Sequence, residues 1–120
     1  MLRRLLLVLP VFAIALALSS LASAKSRPAL SGEVGPGFTI EVKQGSKDVK
    51  TLKAGTYTIK VEDASSAHNF RLKGPGLNKS TTVPFKGEVS WKITLKPGRY
   101  TYQCDPHATT GMKGTFLVKT

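Results

Sequence analysis

Val89-Ser90-Trp91-Lys92-Ile93-Thr94-Leu95-Lys96-Pro97-Gly98-Arg99-Tyr100-Thr101-Tyr102-Gln103-Cys104 is the stretch that decides the fold class. As far as Leu95 every second residue is apolar, with Ser90, Lys92 and Thr94 between them. A two-residue period of this kind describes a strand with one face buried and one face wet. Lys96-Pro97-Gly98 breaks the pattern with turn chemistry. Tyr100, Tyr102 and Cys104 then resume the alternation against Thr101 and Gln103, so the chain returns as a second strand.

The same period recurs on either side. Phe38, Ile40 and Val42 alternate with Thr39 and Glu41, Tyr57, Ile59 and Val61 with Thr58 and Lys60, and Phe116 and Val118 close the chain. Gly35-Pro36-Gly37, Lys53-Ala54-Gly55 and Gly74-Pro75-Gly76 punctuate these runs. No segment sustains an apolar period of 3.6, the signature of an amphipathic helix. Several short alternating strands argue an antiparallel sandwich or barrel. Trp91, Phe38, Phe70, Phe85 and Phe116 are the expected large core residues, and the lysines fall mostly on the outward phase. Residues 25–31 read as a polar lead-in and Ala64-Ser65-Ser66-Ala67 as a loop.

Composition narrows the function classes. The 120 residues hold 18 Lys and Arg against 7 Asp and Glu, two histidines and one cysteine. A single cysteine excludes an intrachain disulfide framework and every zinc site built on two or more thiolates. Two histidines limit imidazole chemistry to one site, and cannot supply the second, histidine-rich copper cluster of a multicopper oxidase. Nothing beside Cys104 assembles a cysteine hydrolase. The expectation is therefore a protein that is not an enzyme.

Met1–Ala24 reads as a secretory signal peptide. Arg3 and Arg4 form the positive start, Leu5 to Leu18 is apolar except for Pro10, and Ala22-Ser23-Ala24 is a small-x-small cleavage pattern. A retained membrane anchor, the rival reading, would want roughly 20 apolar residues without a helix breaker. Cleavage leaves a domain at 25–120 with 16 basic and 7 acidic residues. The expected location is the periplasm or the cell exterior, with no stable membrane insertion after cleavage. A lone thiol in an oxidising compartment must be buried or ligated. Cys104 is thus the residue that needs an explanation.

Cys104-Asp105-Pro106-His107-Ala108-Thr109-Thr110-Gly111-Met112 places a thiol, an imidazole and a thioether within nine residues. Pro106 presets a tight turn and Gly111 permits the chain to fold back, so one inter-strand loop can aim all three groups at a point. The second histidine, His68, lies 36 residues before Cys104 and opens the strand-like run Asn69-Phe70-Arg71-Leu72. In a sandwich that junction can reach the same end. One thiolate, two imidazoles and a weak thioether are the donors of a blue-copper electron-transfer site.

On these residues the chain resembles the cupredoxin family, in particular its plastocyanin-like type. The resemblance covers the whole domain and implies an antiparallel Greek-key β-sandwich. It implies one type 1 copper ion, with His68, Cys104 and His107 as equatorial ligands and Met112 as the axial one. It also implies that Tyr100 packs as a structural corner and that Asn69 ties the two ligand loops together. Asp105 stands where many relatives carry a small polar residue. Leu72, Leu77 and Pro106 would contribute an apolar docking patch around His107, the expected electron exit.

Two readings of the metal follow. In the first, copper shuttles one electron between redox partner proteins. In the second, copper is cargo for delivery, although the methionine-rich or histidine-rich tracts usual for that role are missing from the sequence. The positive charge favours acidic partners through long-range steering. No basic cluster with interleaved aromatics points to a specific nucleic acid, and the protein is expected to act as a monomer.

Overall fold

The computed structural model describes residues 27–120. The signal-peptide reading of Met1–Ala24 lies outside the described residues. Ten strands run in the order β1 (Leu30–Val34), β2 (Ile40–Gln44), β3 (Lys47–Asp48), β4 (Thr51–Lys53), β5 (Gly55–Asp63), β6 (Arg71–Gly74), β7 (Leu77–Ser80), β8 (Gly87–Leu95), β9 (Gly98–Gln103) and β10 (Lys113–Lys119). One 3-10 helix, Asp105–Thr110, interrupts the last two.

Two five-stranded sheets face one another, ordered β3-β2-β1-β5-β8 and β4-β10-β9-β6-β7. This is the two-layer β-sandwich expected from the alternation. β5 shows the rule most plainly: Tyr57, Ile59, Val61 and Asp63 are buried while Thr56, Thr58, Lys60 and Glu62 face water. β8 pairs with it antiparallel along its full length, from Gly55↔Leu95 to Asp63↔Gly87. Most other pairs are also antiparallel, but each sheet contains one parallel pair, β1 with β5 and β10 with β4. Those two pairs are long-range, so no hairpin signal announces them. Among the described residues no helix is long and apolar enough to cross a membrane.

The core lies between the sheets, with Phe70, Tyr100 and Phe116 as its buried aromatic residues besides Tyr57. Three expectations about the aromatics need correction. Phe38 is 72% exposed, because it precedes β2 and lies beyond the end of the core. Trp91 and Phe85 are half-buried, Trp91 packing on the core margin. The polar lead-in expected over 25–31 is also shorter, since Leu30 and Ser31 open β1 and Leu30 is fully buried. The signal was there in Leu30-x-Gly32-x-Val34, an alternation with glycine in one core position.

Three glycines make room for aromatic rings, Gly32 for Phe70, Gly74 for Tyr100 and Gly114 for Tyr102. A Cβ on Gly32 would stand 2.6 Å from Phe70 Cζ, and one on Gly74 would overlap the Tyr100 ring. Tyr100 is the corner that the resemblance implied: its hydroxyl accepts the Lys96 N–H at 2.9 Å and donates to the Pro75 carbonyl at 2.7 Å. Its ring stacks on Phe116 at 5.5 Å. Tyr100→Phe leaves both backbone groups without that partner and should cost about 1–3 kcal/mol, read as a lower denaturant midpoint.

Candidate metal centre

β9 ends at Gln103, and the next residue on its inward phase is Cys104, whose side chain is fully buried. Pro106 lies in the first turn of the 3-10 helix, which carries His107 past the cysteine, with the His107 N–H donating to the Cys104 carbonyl at 3.1 Å. Gly111 then adopts φ 108°, a left-handed conformation that reverses the chain at no cost to glycine. Met112 consequently lies opposite Cys104, its carbonyl accepting the Cys104 N–H at 3.0 Å and its own N–H donating to His107 at 3.2 Å. Met112 too is fully buried.

His68 arrives from the other loop. β5 ends at Asp63, whose carboxylate accepts the Ser65 N–H at 3.2 Å. The Ser65 carbonyl accepts the His68 N–H at 3.2 Å, which turns the imidazole inward, where it is buried. Cys104 Sγ stands 3.6 Å from His68 Nδ1 and 3.4 Å from His107 Nδ1, and the two imidazole nitrogens are 3.1 Å apart. The structure thus brings together His68, Cys104 and His107, with Met112 adjoining through the backbone.

The three donor atoms form a triangle whose centre lies about 2 Å from each, the bond length of a first-row metal to nitrogen or sulfur. The cluster is soft on one corner and imidazole on two, and a thioether residue adjoins it. That donor set fits one type 1 copper ion.

The loops are locked together by Asn69 and Asp105. The Asp105 N–H donates to Asn69 Oδ1 at 2.7 Å, and Asn69 Nδ2 donates back to Asp105 Oδ2 at 2.9 Å. Asn69 therefore ties the ligand loops as the resemblance implied, and Asp105 takes part through its side chain. Arg71 Nε and Nη2 reach the same carboxylate at 3.0 and 2.9 Å, and Gln103 Nε2 at 2.9 Å. The Arg71 guanidinium holds the Asp105 carboxyl at about 2, below its ordinary 3.8, helped by Gln103 and Asn69 against partial burial. A depressed carboxyl stabilises the fold above its unfolded pKa and loses that contribution as it protonates. The stability difference between wild type and Asp105→Asn, measured on metal-free protein, should therefore be full above about pH 4 and shrink toward pH 2.

Sequence reasoning missed several neighbours. Asp63 is buried at a position where β5's alternation demands an apolar residue, and burial raises its carboxyl despite the Ser65 and Thr81 hydrogen bonds. That phase violation was a legible signal. Thr81 Oγ1 accepts the Phe70 N–H at 2.8 Å and donates to Asp63 at 3.3 Å, bracing the His68 loop from behind. Phe38 presents its edge or face to both imidazoles, 5.5 Å from His68 and 5.0 Å from His107. Of the expected docking patch, Leu72 is fully buried and cannot contribute; Leu77 is half-buried and Pro106 exposed. Leu72 sits on the inward phase of β6, which excludes it from the surface.

The domain is similar to solved structures of known proteins. The copper protein rusticyanin aligns at TM-score 0.58 and 23% identity, over 76% of this chain and 76% of its own. Reduced rusticyanin aligns at TM-score 0.55 and 23% identity over 76% and 78%. A Cu(I) form of an amicyanin variant aligns at TM-score 0.51 and 18% identity over 78% and 85%. These likenesses carry the fold. The model of the cupredoxin-like domain matches residues 9–118. With a match over nearly its whole length, the chain belongs to the cupredoxin-like family.

Proposed function

We propose that the protein is an exported one-electron carrier whose copper would be held by His68, Cys104 and His107, with Met112 as a further, weaker donor. The observation that supports this reading is the donor triangle, centred about 2 Å from all three atoms. Copper bound there would supply a Cu(II)/Cu(I) couple. The chain's own part is to keep the donors still. The Asn69–Asp105 latch, with Arg71 and Gln103 on the same carboxylate, resists movement of either loop. Little movement between redox states means a small reorganisation barrier. Burial of Cys104, Met112 and His68 excludes water, while His107 is half-exposed and offers the path out.

Export rests on the Met1–Ala24 pattern, and an acidic redox partner on the excess of 16 basic over 7 acidic residues in the domain that cleavage leaves. The expected result is an intense blue band when one equivalent of Cu(II) is added, bleached by a reductant and restored by oxidation. Absence of that band overturns the reading. Rapid loss of copper to a chelator with no reversible redox wave would instead assign the metal as cargo. Met112→Leu should retain copper and raise the reduction potential, since removing a thioether donor stabilises Cu(II) less than before. Voltammetry on the loaded protein measures it.

A further inference from the structure

The two outer faces of the sandwich carry opposite kinds of surface. On the face of β1, β2, β5 and β8 four glutamates stand in one row, Glu41 beside Glu33, Glu33 beside Glu62, and Glu62 beside Glu88. Lys43 and Lys60 answer them with ion pairs to Glu41 and Glu88. The strands of the other sheet, β4, β10, β9, β6 and β7, contain no acidic residue at all. Their outward phase instead presents Lys53, Lys73, Arg99, Lys113 and Lys119, every one of them exposed. Lys119 lies directly beside Lys53 in the register, a like-charge neighbour pair that a fold selected for stability alone would avoid. Among the described residues these five form no ion pair; the only cation on that face that does is Arg71, with Asp105.

We infer that the outer face of the sheet β4-β10-β9-β6-β7 is a docking surface for an acidic protein. The choice of partner follows from what lies between the charges. Thr51, Thr101, Thr115 and Gln103 share the outward phase, giving a surface of cations and neutral hydrogen-bonding groups. A membrane surface would want an apolar wedge beside the lysines, and the face offers only Leu117 at 38% exposure. A nucleic acid strand would want aromatic stacking platforms, and the outward phase of these strands carries none. Interspersed cations and polar groups match a protein rim bearing carboxylates, where charge complementarity sets encounter rate and register. The inference goes beyond the electron-carrier reading and does not depend on the metal.

The test is binding of poly-L-glutamate to the isotope-labelled full-length protein, read residue by residue from amide chemical shifts with no copper added. Shifts should concentrate on β4, β6, β9 and β10 and vanish as salt is raised. Lys73→Ala, Arg99→Ala and Lys119→Ala together should weaken binding about tenfold, the sum expected of three exposed charges. Lys60→Ala, Lys86→Ala and Lys92→Ala remove the same charge elsewhere and should change it less than about twofold. Equal weakening by both triples, or shifts spread over both sheets, would reduce the effect to diffuse net charge and overturn the assignment. Tighter, triple-sensitive binding to phosphatidylglycerol vesicles than to polyglutamate would overturn it in favour of a membrane. A colourless protein with copper would sink the carrier reading and leave this result untouched.

Discussion

Replacing Cys104 with alanine should abolish the blue thiolate-to-copper band entirely while the domain still folds. The band needs a sulfur bound to Cu(II), and Cys104 is the only cysteine in the sequence, so no neighbour can substitute. The fold should survive because the lost group is one atom: a small buried void costs on the order of 1 kcal/mol. The backbone bonds from Cys104 to Met112 and His107 do not use the side chain and remain. Stabilisation by the ligand should collapse as well. A metal at about a thousand times its Kd adds about 4 kcal/mol to stability, so the copper-induced rise in Tm should largely disappear in the variant. Spectroscopic titration and thermal melts with and without Cu(II) measure both effects. A variant that kept the blue band would show that the donor triangle is not where copper binds.

The second large effect is expected at Phe70, which is not itself a candidate donor. The side chain is fully buried and its ring lies 6.4 Å from Tyr102 in a stacked arrangement and 6.3 Å from Trp91. It also fills the space left by the absent side chain of Gly32 on the facing sheet. Phe70→Ala should cost about 3–5 kcal/mol, from lost burial plus the cavity left behind. Against a total stability of about 5–15 kcal/mol, that brings the domain near its unfolding threshold at room temperature. Gly32→Ala should cost about 1–3 kcal/mol by overpacking the same contact. Combined with Phe70→Leu, the Gly32→Ala penalty should shrink, because the smaller side chain concedes the space and neighbouring sites are not additive. Denaturant unfolding of the set checks this. Additive penalties would mean that the two residues do not meet. The copper band of folded Phe70→Ala should persist, since the donors hang from backbone bonds that Phe70's ring does not make.

Much of the site could be read from the chain because its parts are local. Cys104, His107 and Met112 span nine residues, and Pro106 and Gly111 are the turn residues that such a reversal needs. Asp105 is different. Its position invited comparison with a smaller residue, yet its carboxylate proves to be the hub where Asn69, Arg71 and Gln103 meet. Two of those partners come from a segment more than thirty residues away, so no local pattern marks them. Phe38 shows the opposite failure. Its phase agrees with Ile40 and Val42, but alternation names a side of the strand and says nothing of where the opposing sheet ends.

By itself the sequence determined the class of secondary structure, the inward phase of β5, β8, β9 and β10, and three of the four candidate donors in one loop. These follow from a period of two and from turn chemistry, which act over a few residues. Only the tertiary structure decided that His68 meets Cys104 across 36 positions, that β1 and β4 join their sheets in parallel, and that the glutamates and the unpaired lysines collect on opposite faces. Those outcomes depend on which strands become neighbours and in what register. Neighbour choice is settled by burial summed over the whole core, an energy that no single segment carries.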